Sequence, residues 1–195
     1  MPNVWEVEQK YVVSDEAALR TRLAEAGYVL TGRETNSDIY FQHPCRDLRE
    51  SGEAFRLRTT DSGCCVTYKG QRLPGAVKTR PEIELHIDAQ QQSSWLELLQ
   101  CLGFVPLPEV RKQRATFDHP AGAAATDEPK LPIQVTLDHV DQLGTFAELE
   151  SLASSADQLP QASQQICQLA SLLGLDSVQP KSYLTLMLEL QSLRD

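Results

Sequence analysis

Charged side chains recur at every second position along much of this chain, and that constrains its fold more than any other feature. The opening run "EVEQK" puts Glu6, Glu8 and Lys10 on one face, with Trp5, Val7, Tyr11 and Val13 filling most of the gaps. A period of two is that of a β-strand whose faces meet different surroundings. Residues on one strand face lie about 7 Å apart, so two like-charged carboxylates are held side by side. Either solvent or a cation must compensate them.

The same alternation returns downstream. Arg56 and Arg58 share a face against Phe55 and Leu57, and Lys69 shares parity with Thr67 against Val66 and Tyr68. Arg80, Glu82, Glu84 and His86 alternate with Ile83, Leu85 and Ile87. Lys112 and Arg114 oppose Ala115 and Phe117, Asp138 opposes Val135 and Leu137, and Glu148 and Glu150 oppose Ala147 and Leu149. Only "SDIYFQH" is expected to lack a charged face. Helical spacing is predicted after Ser14, read as the N-cap and followed by acids suited to a helix start. It recurs in "SSWLELLQCLGF", capped by Ser93 or Ser94, in residues 159–173, and after Pro180 in "KSYLTLMLELQSLR". "PAGAAATDEPKLP" lacks periodicity and is expected to be a loop. About eight strands joined mostly by short turns, with four helices, predict an antiparallel α+β fold in one domain spanning 1–195.

Two arrangements satisfy the pattern. A flat sheet could bury its apolar face under helices and show its charges to water, where ion pairs contribute only about 0–1 kcal/mol each. Alternatively the sheet curls into a closed or nearly closed eight-stranded barrel with the charges facing a wet bore and the helices packed outside. In that case the charges must pair or bind ions. Arg-x-Arg suits a phosphate, and Glu-x-Glu suits a hard divalent cation. A metal-chelated polyphosphate requires both.

The net charge of −9 and pI near 4.9 argue against nucleic acid or an anionic membrane as partner. No apolar run approaches membrane-spanning length, and no basic-then-apolar leader opens the chain, so a cytoplasmic protein is expected. The five cysteines show no zinc spacing. "YKGQ" lacks the spaced glycines of a P-loop, and the scattered histidines suggest no nucleophilic triad.

"EVEQK" resembles the Glu-x-Glu-x-Lys signature of the CYTH superfamily, the triphosphate tunnel metalloenzymes. "DIYF", "FRLR", "VTYKG", "RPEIEL", "KQR", "TLDHVDQLGTFAELE" and "KSYLTLM" follow in family order. The resemblance implies a tunnel holding a triphosphate with Mg²⁺ or Mn²⁺. It implies metal binding by Glu6, Glu8, Glu82, Glu84, Asp138, Glu148 and Glu150. It implies phosphate binding by Lys10, Arg56, Arg58, Lys69, Arg80, Lys112, Arg114 and Lys181, with Glu6, Glu8, Lys10 and Lys181 catalytic. Three of the blocks are most similar to the class IV adenylyl cyclase-like branch, which forms cyclic AMP and pyrophosphate from ATP. The alternatives are hydrolysis of tripolyphosphate, thiamine triphosphate or a nucleoside triphosphate, and a non-catalytic polyphosphate-binding module. Asp38, Tyr40 and His139 are the candidates for base recognition. The last helix is expected to cover the outside of its own barrel, the other option being contact with a second subunit in a homodimer.

Overall fold

The structure, a computed structural model, describes residues 5–74, 77–120 and 131–193. Most of the expected loop at 120–132 lies outside the described residues. The strands are β1 (Trp5–Val12), β2 (Val29–Gln42), β3 (Ala54–Thr60), β4 (Gly63–Lys69), β5 (Lys78–Ile87), β6 (Val105–Pro106), β7 (Val110–Asp118), β8 (Gln134–Val140) and β9 (Gly144–Ala153). The helices are α1 (Glu16–Glu25), α2 (Gln92–Cys101), α3 (Leu159–Leu172) and α4 (Tyr183–Ser192).

Eight strands close into an antiparallel barrel in the order β3-β4-β5-β1-β9-β8-β7-β2, and β2 pairs back onto β3. The two-residue β6 adds only to the end of β2. Pro81 interrupts β5 where its main-chain partner changes. Residues Lys78–Pro81 pair with β1 and Glu82–Ile87 pair with β4. A missing N–H is tolerated at such a junction.

The apolar core is a shell outside the barrel. Val7, Tyr11, Phe117, Val135, Leu137 and Leu149 turn outward and pack against Leu19 and Leu23 of α1 and Ala162, Ile166 and Ala170 of α3. These α3 positions recur every four residues and form one face. A separate cluster seats α2, through Leu99, on Phe41, Leu57 and Val66. The closed, outward-greasy barrel is the second of the two arrangements the alternation allows.

Local details differ from expectation. Asp15, not Ser14, caps α1, accepting from the Ala18 N–H at 2.9 Å. Helix α2 has no side-chain cap; a short 3₁₀ turn capped by Asp88 precedes it. Strand β2 begins eight residues before "SDIYFQH", with a register shift between Leu30 and Gly32. It also carries a charge inward, Asp38, which is 1% exposed.

The last helix does not cover the barrel's outer face. Tyr183 and Met187 pack on Val110, Val140, Phe146 and Tyr40. By strand alternation these four share the faces of Lys112, Asp138, Glu148 and Asp38, so they point inward. Helix α4 therefore stops part of one end of the bore. No helix among the described residues is long and apolar enough to cross a membrane.

Candidate active site

Thirteen of the fifteen expected site residues line one cavity of about 210 Å³ inside the barrel: Glu6, Glu8, Lys10, Arg56, Arg58, Lys69, Arg80, Glu82, Glu84, Lys112, Arg114, Glu148 and Glu150. Six strands contribute them, and the two-residue period aims each inward. Asp38 and Tyr40 line it as well, together with Ser182, Tyr183, Leu184 and Thr185 at the start of α4.

Within the bore, acids hold cations in place. Lys69 donates to Glu6 and lies 2.9 Å from Glu82, while Arg80 donates to Glu6 at 3.1 Å. Lys78 donates to Glu8 at 3.1 Å. Arg58 donates through two nitrogens to Asp38, at 2.6 and 2.8 Å, and Arg56 reaches the same carboxylate at 3.5 Å. Burial opposes ionisation of Asp38, but Arg56 and Arg58 outweigh it and hold its pKa well below the carboxylate range.

Asp138 was expected among the metal ligands. It is 0% exposed and does not line the cavity. Its oxygens accept from Lys112 at 2.8 Å, from Arg114 at 2.7 and 2.6 Å, and from the Tyr183 hydroxyl at 3.0 Å. Four donated bonds leave this carboxylate little capacity for a metal. Arg114 also donates to Glu148 at 2.6 Å. Burial resists the Glu148 charge, as does Glu8, yet Lys112, Arg114 and Lys10 bring its pKa down to about 2.

Lys181 lies outside the bore. Its ammonium donates to both Glu189 oxygens at 2.8 Å, and its side chain is half exposed. His139, one of the three residues considered for base recognition, is also outside: it is exposed, 3.0 Å from Thr145 and 2.9 Å from Glu16.

Two bore residues stand apart. Glu8 and Glu150 are directly opposed across β1 and β9, an unfavourable placement for two like charges. Among the described residues Glu150 has no ion-pair partner within 4 Å. Burial, then the neighbouring Glu6 and Glu8 carboxylates, push its pKa up to about 8 against the pull of Lys69. Lys10 is buried and has no carboxylate within 4 Å among the described residues. Its ammonium sits 3.8 Å from the centre of the Tyr183 ring, a cation–π contact. Burial brings its pKa down to about 8 despite Glu148.

Among the described residues, no three His, Cys, Asp or Glu side chains converge closely enough to hold a metal ion by themselves. The Glu8–Glu150 pair nevertheless fits one. Mg²⁺ commonly takes one or two carboxylates and completes its shell with water and phosphate oxygens. A cation arriving on a polyphosphate needs no more from the protein than this.

Sequence reading missed several contributors, among them Lys78, Tyr183 and Arg72. Lys78 has the parity of Arg80 and Glu82, and extending that alternation by two residues would have found it; Pro81 suggested a later start. Tyr183 lies on a helix, where alternation is silent. Arg72, which also borders the cavity, follows β4 in a segment without periodic signal.

Comparison with known proteins agrees with this geometry. The chain is 31% identical over 183 residues to a protein of Methanocaldococcus jannaschii provisionally named an adenylate cyclase, covering 93% of this chain and 97% of the relative. It is 30% identical over 185 residues to the adenylate cyclase CyaB of Aeromonas hydrophila, covering 93% and 88%. A solved structure from Pyrococcus horikoshii superposes with a TM-score of 0.81 at 34% identity, covering 94% of this chain and 98% of that one. The CYTH domain model matches residues 5–183. The chain belongs to the CYTH domain family.

Proposed function

We propose that the protein is a divalent-metal-dependent enzyme acting on a triphosphate, and that its reaction is cyclisation of ATP to cyclic AMP and pyrophosphate. The observation that carries the triphosphate reading is one cavity inside the barrel with opposed Glu8 and Glu150 on one wall and Arg56, Arg58, Lys69, Arg80, Lys112 and Arg114 around it. The choice of cyclisation rests on the names of the two curated relatives.

The cations hold the phosphate oxygens and neutralise charge as it shifts to the leaving group. Two hydrogen bonds each, donated to Asp38 and to Asp138, orient the Arg58 and Arg114 guanidinium groups on the cavity wall. Lys112 shares the Asp138 anchor. Lys10, with no carboxylate within 4 Å among the described residues, is available to the substrate. Glu8 and Glu150 would hold a Mg²⁺ or Mn²⁺ with Glu6 and Glu82 at its edge; bound there, the ion supplies Lewis-acid polarisation of the phosphoryl oxygens. In cyclisation the ribose 3′-oxygen bonds to the α-phosphorus, the bond from that phosphorus to the α,β-bridging oxygen breaks with departure of pyrophosphate, and the hydroxyl proton passes to water.

One observation favours a second reading, hydrolysis to a diphosphate and orthophosphate. Charged side chains dominate the cavity wall, and the Tyr183 ring within it already carries Lys10. Tyr40, the other ring on the wall, packs on the Tyr183–Met187 cluster, which leaves little free ring surface to stack on a base.

Incubation of purified protein with ATP, thiamine triphosphate or tripolyphosphate, with Mg²⁺ or Mn²⁺, separates the readings by chromatography of the products. Cyclic AMP with pyrophosphate is the expected result. Orthophosphate without cyclic AMP would replace cyclisation by hydrolysis, and binding without any product would leave a polyphosphate-holding module.

A further inference from the structure

We infer that Arg72 is a further substrate-contacting residue, the cation at the mouth of the bore that takes the outermost phosphate of a bound triphosphate; this rests on the triphosphate reading of the bore. Arg72 borders the cavity and is also exposed to solvent. Among the described residues, Lys10 and Arg72 are the two cavity cations without a carboxylate within 4 Å. The bore acids already described hold the others, and Arg49 lies 3.7 Å from Asp47. Lys10 is buried against the Tyr183 ring. Of the two, Arg72 is the one an arriving anion can reach from outside.

Its place in the fold is fixed. The Gly70 N–H donates to the Pro81 carbonyl at 2.8 Å, and the Leu73 N–H donates to the Thr79 carbonyl at 2.7 Å. Both acceptors are on β5, on either side of Arg80. The Arg72 stem passes Gly52 in the β2–β3 connection, where an added Cβ would lie 3.9 Å from its Cγ. Because neighbouring strands run antiparallel, the end of β4 and the start of β3 share one end of the barrel with Val110, Val140 and Phe146. Helix α4 rests there on β9, β8, β7 and β2. In the strand order the β4–β5 connection is on the opposite wall. Arg72 thus stands on the side of this end that α4 leaves open.

The side-chain chemistry fits that place. Partial burial, then the Arg80 charge, bring the Arg72 pKa down against the pull of Glu8 and Glu6. The free protein therefore holds two guanidinium groups near one another with too little negative charge beside the outer one. A phosphate supplies that charge, and its oxygens match the guanidinium fork. No resident acid has to be displaced from Arg72 first.

The experiment compares wild type, Arg72→Gln and Arg72→Lys by thermal unfolding of the free protein and by calorimetric titration with tripolyphosphate and Mg²⁺. Arg72→Gln is expected to move the free midpoint by no more than about 2 °C, because no ion pair is lost. Its Kd for tripolyphosphate should rise about tenfold, the equivalent of about 1.4 kcal/mol. Arg72→Lys, which keeps the charge without the fork, should lose less. Part of the Arg72→Gln deficit should persist at about 0.5 M NaCl, where screening leaves only near contacts. An unchanged Kd in Arg72→Gln would overturn the inference. So would a deficit that vanishes at high salt, which would belong to the general field of the mouth. So would equal losses of affinity in both variants with midpoints lowered by more than about 5 °C, which would make Arg72 structural. Absence of tripolyphosphate binding by wild type would instead refute the triphosphate reading itself, before any variant is compared.

Discussion

Replacing Asp138 by asparagine distinguishes an anchor from a metal ligand. The substitution preserves shape and removes the negative charge from a site where Lys112, Arg114 and Tyr183 all donate. Arg114 keeps a second carboxylate, Glu148, at 2.6 Å. Lys112 keeps none within 4 Å among the described residues. Removing one partner of a buried pair costs about 3–5 kcal/mol. Lys112 has an escape that places the loss at the lower end. Burial, then Arg114, already bring its pKa down to about 8, with Asp138 opposing that fall. Without Asp138 it falls further, and the amine is buried neutral. At roughly 2–4 °C per kcal/mol for a chain of this size, the thermal midpoint at pH 7 should drop by about 6–12 °C. The sign with pH follows. A lysine whose folded pKa lies below its unfolded value gains stability as pH rises from the folded towards the unfolded pKa. That gain starts at lower pH in the variant, so its deficit should narrow between pH 6.5 and pH 9. The assay is thermal and urea unfolding across that range, with and without Mg²⁺. An unchanged midpoint accompanied by loss of metal-dependent activity would show that Asp138 binds the metal and refute the anchoring argument.

Glu150 yields a pH prediction of its own. Its folded pKa, about 8, lies above the ordinary 4.5, so the folded state holds more protons between those values and stability falls as pH rises through that window. Each pH unit removes up to about 1.4 kcal/mol; Glu150→Gln should flatten the profile, and Mg²⁺ should restore wild type at pH 8, both read as midpoint against pH. An identical slope in the variant would contradict this. Lys181→Ala should change stability by no more than about 1 kcal/mol, the worth of an exposed ion pair, and leave tripolyphosphate affinity unaltered; a tenfold loss would bring Lys181 back to the site.

Much of the barrel was legible because its interior is charged. In an ordinary sandwich the inward residues are apolar and the strand partners remain anonymous. Here Glu6, Glu8 and Lys10, or Arg56 and Arg58, mark the inward face of each strand and their complementary chemistry implies convergence. The first half of β2 was illegible for the same reason. "VLTGRETNS" carries Thr, Gly, Arg and Asn without a regular contrast, and its bulge at Leu30–Gly32 breaks the period. Distinctions among like residues were also hidden. Nothing in the spacing of Asp138, Glu148 and Glu150 separates the first, enclosed by donors, from the last, which has no ion-pair partner within 4 Å among the described residues. That difference is created by Lys112, Arg114 and Tyr183 arriving from other elements. Helix α4 was misplaced because its leucines suit an outer face as well as a stopper, and only Val110, Val140 and Phe146 at the inner end of their strands decide between them.

The carboxylates that grip Arg58, Lys69 and Arg114 give the tunnel the character of an ion exchanger. An arriving anion must displace resident acids from several cations at once, which a species with many negative charges does far better than one with few. On the proposed reaction, cleavage would divide that charge between two fragments, each then a weaker competitor than the compound that entered. Retention of reactant and discharge of products would thus follow from valence, with no moving part required.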